Sequence, residues 1–233
     1  MCWRAGQMRT SIDPDTLPFD PQFELERGPA IDAARLTPEA LRLRFMQPRS
    51  WQAEQSGDGG LLDLDRPLRP AAVLIALIQR PSGLQVLFTV RSSRLQDHAG
   101  QISFPGGRLE SGDASAIDAA LREAREEIEL DRELVEVLGT MPPYSTISGF
   151  RVVPVVGLIA PGVQLRADPL EVEEFFEVPL SFLMNGANHQ RRVVVQQSRR
   201  RFVYSMEYFG RRRYLIWGAT AAMLRNLYRF LLD

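Results

Sequence analysis

Lysine does not occur in this chain, and all 28 basic residues are arginine. That excludes Schiff-base chemistry and a Walker-type phosphate loop, both of which depend on a lysine amine. Codon bias is the preferred cause, and the exclusion holds whatever the cause. Cysteine occurs once, as Cys2, which leaves no intramolecular disulfide and no thiolate metal cluster. The two histidines, His98 and His189, are too few for a histidine-rich zinc site. No apolar run approaches the ~20 residues that span a bilayer, so no membrane partner is expected. The N-terminal stretch lacks the apolar core and small-residue cleavage site of a secretory leader, and the cytoplasm is the expected location. With a net charge of -1 and no basic-aromatic stripe, no nucleic-acid partner is expected either.

What is present suits an ordinary globular protein: 233 residues, 45% hydrophobic and 24% charged. Residues 1–60 read as an N-terminal extension and 61–233 as the main domain. The first 35 or so residues, rich in Pro, Asp and Arg, either wrap the domain or stay loose. Thr37-Pro38-Glu39 reads as an N-cap, a proline at N1 and an acidic first turn, so a helix is predicted over about 38–46. The polar, Gly-rich stretch 52–60 reads as a flexible linker. Strands are predicted at 71–80, 84–91, 101–104, 134–141, 151–160, 191–197 and 202–208. Helices are predicted at 114–129 and 219–232. The alternation points to a mixed sheet between helices.

The chemistry concentrates after Gly106-Gly107. A Gly-Gly turn lets backbone groups approach an ion or phosphate closely. Next comes a helix that Ser115 and Asp118 cap as a box. Ile117, Leu121, Ala124 and Ile128 form its core stripe. Glu123 and Glu127 lie about 40° apart on another face, with Glu126 roughly 60° from Glu123. Like charges at i,i+4 cost ~0.2–0.5 kcal/mol per pair in an isolated helix. Arg122 can offset part of that through Glu126, and a hard divalent cation would offset it far better. A bare EAREE run is usually solvated surface, and the glycine turn before it shifts the balance towards function.

The pattern Gly107, Asp113, Arg122-Glu123, Ala124, Glu126-Glu127 resembles the Nudix box, G-x5-E-x7-R-E-U-x-E-E-x-G-U, where U is apolar. Three places depart from it. Asp113 replaces Glu, the gap to Arg122 is one residue longer, and Glu129 stands where Gly is usual, which bears on how the helix ends. Upstream, the stretch from Leu87 through Arg91, His98, Gly100-Gln101 and Phe104-Pro105-Gly106-Gly107 resembles the LLTxRSxxLRxHxGQVxFPGG segment of coenzyme A pyrophosphatases. The longer gap is similar to that branch, and the resemblance covers roughly residues 70–230.

That resemblance implies an α/β Nudix fold, an α/β/α sandwich around a mixed sheet. It implies Mg²⁺ or Mn²⁺ as cofactor, held by Glu123 and Glu127, with Glu126 a third ligand or the water-orienting carboxylate and Gly107 offering a carbonyl. Arg122 would hold a catalytic Glu by ion pairing. Arg91, His98 and Gln101 are the substrate-binding candidates. The general base is left between Glu171 and Glu174, against the plainer reading that both sit in an exposed loop. The implied reaction is hydrolysis of coenzyme A or acyl-CoA to 3′,5′-ADP and (acyl-)4′-phosphopantetheine. Other nucleoside diphosphate derivatives, such as ADP-ribose or a nucleotide sugar, are the first alternative. A non-catalytic nucleotide sensor is the second, although all three glutamates are present. A homodimer is a partner the family allows. Arg199–Arg201 and Arg211–Arg213 are expected to mark solvated turns, with a phosphate site as the competing reading. Trp217 is expected in the core.

Overall fold

The first predicted strand is apolar on both faces, which suits a strand covered on both sides. In the computed structural model it is β1 (Arg69–Arg80). Ala72, Leu74, Ala76 and Ile78 point to one core cluster, while Ala71, Ile75 and Leu77 point to the other. The structure describes residues 12–47, 49–58, 67–93, 100–196 and 199–233, without the side chains of 196 and 199.

The elements in chain order are α1 (Pro38–Met46), β1, β2 (Gly83–Arg91), β3 (Ile102–Ser103), β4 (Gly106–Arg108) and α2 (Ala116–Ile128). Then follow β5 (Val135–Thr140), β6 (Tyr144–Ser145), β7 (Phe150–Ile159), β8 (Val172–Pro179) and α3 (Leu180–Leu183). The last are β9 (His189–Gln196), β10 (Arg199–Phe209), β11 (Arg213–Trp217) and α4 (Ala219–Leu232). Strands β1 to β8 form an eight-stranded mixed sheet with the path β3-β2-β1-β7-β5. β1 and β7 pair in parallel, and the other pairs are antiparallel. α2 covers one face through Ala120, Leu121, Ala124 and Ile128. α4 covers the other through Ala221, Leu224, Leu227 and Leu231. This is the expected helix–sheet–helix sandwich, with a three-stranded sheet, β11-β10-β9, added on the α4 side. β8 and β11 were not among the predicted strands. Trp217, expected in the core, is half-buried.

The N-terminal segment wraps the α4 side. Asp13, Asp20 and Asp32 each cap a short 3-10 turn. Phe23 is buried edge-on against Tyr204, with ring centroids 5.4 Å apart. Arg225, on α4, donates to the carbonyls of Glu26 at 2.8 Å and Arg27 at 2.7 Å.

Two expectations need correction. Residues 52–58, read as a flexible linker, are tied down along their length. Glu54 accepts from Arg225 at 2.8 Å, and the Gln55 N–H donates to Asn226 at 3.2 Å. Asp58 accepts from Tyr144 at 2.7 Å and from the Ile147 N–H at 2.6 Å. The polar side chains that suggested solvent instead satisfy partners inside the fold. Arg199–Arg201 are no turn, since they open β10. Arg212 and Arg213, at the β10–β11 hairpin, are paired with Glu174 and Asp15.

Candidate active site

Helix α2 begins as its sequence predicts. Ser115 caps it, accepting the Asp118 N–H at 3.2 Å, and its hydroxyl donates back to the Asp118 carboxylate at 2.9 Å. It ends at Glu129, which takes the left-handed conformation (φ 53°, ψ 30°) and donates its N–H to the carbonyls of Ala124 and Arg125. So the helix closes as a glycine would close it, with Glu carrying the strain of a Cβ in that region. The loop before β8 is stapled to this same end. Arg166 N–H reaches the Ile128 carbonyl at 3.1 Å, and Asp168 N–H reaches the Glu127 carbonyl at 2.9 Å. These bonds satisfy two orphan carbonyls of the helix and carry Glu171 to the acidic face.

Arg122 organises one half of that face. It forks onto Asp113 with both bonds at 3.0 Å, and its Nη1 donates to Glu123 and Glu126, each at 3.0 Å. Its remaining donor meets the Arg108 carbonyl at 3.0 Å. The Asp113 bond, first among the causes, raises the Arg122 pKa, and the same bond lowers that of Asp113. Asp113, noted in the sequence only as a shortened acidic position, is therefore the anchor of Arg122. Eight residues separate the two, most of them in the first turns of α2, and the pairing is not at helical spacing.

Glu127 forms the other half, and it is buried. Its Oε2 has no hydrogen-bond partner among the described residues. Burial, then the neighbouring charges of Glu123 and Glu171, push its pKa up to about 8, while Arg91 and the Gly106 N–H act in the opposite direction. Glu123 is also raised, first by burial, with Glu126 and Glu171 adding to it against Arg122. Arg91 belongs to the same space, and its Nε is likewise buried without a partner among the described residues. A Cβ at Gly107 would stand 2.3 Å from the Glu123 carboxylate. Only glycine lets strand β4 and that carboxylate come together.

Of the residues singled out from sequence, Glu123, Glu126, Glu127, Arg122, Gly107, Arg91 and Glu171 are thus brought to one end of α2. Gln101 joins through its backbone, accepting the Arg91 N–H at 3.0 Å. His98 lies outside the described residues. Glu174 does not join them. It accepts from Tyr214 at 2.5 Å and Arg212 at 2.9 Å, and although burial opposes it, those bonds hold its pKa down. A carboxylate so engaged is a poor base.

The donor set fits a hard divalent cation: carboxylate and carbonyl oxygens, one of them buried and unpartnered. Among the described residues no three acidic, histidine or cysteine side chains stand at ligand spacing around one point. Arg122 engages Glu123 and Glu126 in this structure. A cavity of about 750 Å³ lies away from this face, on the α4 side.

Comparison with known proteins identifies the family. The NUDIX domain profile matches residues 68–199. A protein of Citrobacter koseri named "Uncharacterized Nudix hydrolase NudL" is 43% identical over 160 residues, which are 68% of this chain and 81% of that protein. One of the same name from Salmonella paratyphi B is 39% identical over 198 residues, 84% of this chain and 96% of the relative. The crystal structure of a MutT/nudix family protein from Enterococcus faecalis aligns at TM-score 0.44 and 15% identity, over 84% of this chain and 69% of that one. With more than half its length inside the domain profile and most of it matched by the two relatives, this chain belongs to the Nudix hydrolase family, of the NudL type.

Proposed function

We propose that this Nudix hydrolase cuts the diphosphate of coenzyme A or acyl-CoA, releasing 3′,5′-ADP and (acyl-)4′-phosphopantetheine. The substrate reading rests on the segment from Leu87 to Gly107, whose Arg91, Gly100-Gln101 and Phe104-Pro105-Gly106-Gly107 follow the pattern of coenzyme A pyrophosphatases. The reaction reading rests on one observation above the others: Glu127 is buried, surrounded by acidic neighbours, and keeps an oxygen without a partner. A buried polar atom left in that state costs ~1–3 kcal/mol, more when charged, and a cation removes the cost.

Nudix hydrolases generally need a divalent cation such as Mg²⁺ or Mn²⁺. Here Glu123 and Glu127 are the assigned ligands, with the Gly107 carbonyl and Glu126 beside them. When bound, such an ion neutralises charge on the diphosphate and lowers the pKa of water. Arg122 keeps Glu123 and Glu126 in place through its fork onto Asp113. Glu171 is the assigned proton acceptor for the attacking water, since its charge is felt by both Glu123 and Glu127. Arg91, with a free Nε, is suited to a phosphate oxygen. His98 and Gln101 complete the substrate-binding set.

The test is hydrolysis of CoA with Mg²⁺ or Mn²⁺, wild type beside Glu127→Gln, with products resolved by chromatography. Release of 3′,5′-ADP and phosphopantetheine by the wild type alone supports the whole reading. Faster cleavage of ADP-ribose or a nucleotide sugar than of CoA would sink the substrate assignment and keep the chemistry. Absence of cleavage of any diphosphate would favour the sensor.

A further inference from the structure

The 750 Å³ cavity on the α4 side is walled by the N-terminal wrap, residues 54–58, β10 and the C-terminal half of α4. Four arginines and three carboxylates line it: Arg191, Arg201, Arg225 and Arg229 with Glu26, Glu54 and Asp58. The carboxylates are all engaged within the protein. Glu26 takes Arg191 at 2.7 Å. Glu54 takes Arg225 at 2.8 Å and the Tyr204 hydroxyl. Asp58 takes Tyr144 and a backbone N–H. Two of the cations are not matched in this way. Among the described residues Arg229 has only Glu54, at 3.8 Å and already shared. Arg201 has no acceptor among the described residues, and its Nη1 is buried.

A buried guanidinium donor without an acceptor is unfavourable in the free protein and becomes favourable once an anion meets it. Two unmatched arginines suit a charge near -2. A carboxylate brings one charge, whereas a phosphomonoester brings about -1.5 to -2 with three acceptor oxygens. The cavity volume falls within the ~300–1,000 Å³ usual for small-molecule sites. Phe202, on its wall, keeps over a third of its surface open to a ring or chain.

We infer that this cavity binds a phosphomonoester, with Arg201 and Arg229 as its cationic cradle, on the face of the sheet opposite the acidic helix. The phosphate is either a free metabolite or a phosphomonoester carried by the substrate, as CoA carries one on its ribose. The inference goes beyond the hydrolase reading, and only the kinetic arm of the test depends on it.

The test is calorimetric titration of the full chain, without added metal, with adenosine 3′,5′-bisphosphate and with inorganic phosphate. Wild type and Glu127→Gln should bind the bisphosphate equally. Arg201→Gln should bind at least tenfold more weakly, and adding Arg229→Gln should abolish binding. Since Arg201 has no partner to lose, Arg201→Gln should melt no lower than wild type without ligand, while losing the rise that ligand gives. No saturable binding by wild type, undiminished binding in the double variant, or a melting point several degrees lower in unliganded Arg201→Gln would each overturn the proposal. Kinetics then separates the sources, either of which supports it. KM raised for CoA but not for dephospho-CoA assigns the phosphate to the substrate. KM unchanged for both assigns it to a separate ligand.

Discussion

On the α4 side of the large sheet, Asp20 meets Arg191 at 2.7 Å and Arg200 at 3.2 Å, and Glu54 meets Arg225 at 2.8 Å. On the α2 side, Glu127, as buried as Asp20, meets no cation within 4 Å among the described residues and leaves an oxygen unpartnered among them. Each region buries a carboxylate, Asp20 in one and Glu127 in the other, and they treat it in opposite ways. In the first, each charge has a partner within the fold, so removing one member strands the other. In the second, the fold itself brings like charges together and raises their pKa values, a cost that perturbed groups at functional sites commonly carry. The contrast separates a carboxylate that holds the structure from one that waits for something outside it.

The sharpest way to break this contrast is Glu127→Gln. Turnover of CoA should fall about a thousandfold, or ~4 kcal/mol of barrier, while the melting temperature stays level or rises because a neutral amide is easier to bury. A variant that melts lower and still turns over would reverse the assignment. Next in size is a pH effect on the paired side. His189 is buried and neutral. It donates Nε2–H to the Leu183 carbonyl at 2.6 Å and accepts Arg225 at Nδ1, 3.1 Å away. Burial, then the backbone bond opposing it, then Arg225, leave its pKa lowered to about 4. The unfolded chain takes up the proton near 6.5, so stability is full above pH 6.5 and is lost as pH falls towards 4, by about 3 kcal/mol. Urea denaturation across that window should show the loss in wild type and not in His189→Gln.

Glu54→Gln strips Arg225, 1% exposed, of its carboxylate while leaving two carbonyl acceptors. Unfolding free energy should drop by ~2–3 kcal/mol, with kcat for the folded fraction unaltered. Gly107→Ala should do the reverse. Its new methyl displaces the far end of a flexible side chain, Glu123, so stability changes by less than about 1 kcal/mol. Activity should fall ten- to a hundredfold, roughly what misplacing a support of a metal ligand costs. The smallest effect is at Glu129, where the left-handed backbone (φ 53°) favours glycine. Glu129→Gly should stabilise by about 1 kcal/mol at unchanged kcat, read by denaturant titration.

Much of this was legible before any coordinates. The capping box of α2, its core stripe, the parallel-type apolar run of β1 and the clustering of Glu123, Glu126 and Glu127 follow from residue spacing alone. Three things did not. The fork of Arg122 runs back past the start of α2 to Asp113, and helical periodicity says nothing about residues ahead of the cap. β8, VEEFFEVP, crowds three glutamates into a strand, and that charge masks its β-type pattern. Residues 52–58 look like linker by composition, because composition cannot see that Arg225 and Tyr144 await those polar groups. The local signals for the N-terminal turns were present, however. Asp13-Pro14 and Asp20-Pro21 each place a capping aspartate before an N1 proline, and both form the turns they encode.

The wrap has a further consequence, for synthesis. Arg225 bonds the carbonyls of Glu26 and Arg27 across 199 and 198 residues of chain, and Glu54 across 171. At the ~5–20 residues per second of a ribosome, on the order of ten to forty seconds separate the making of the two halves of this clasp. Throughout that interval Phe23 has no Tyr204 to pack on, and the early acids have no late arginine. The wrap therefore cannot close before α4 has been made, and until then its polar groups stay in water.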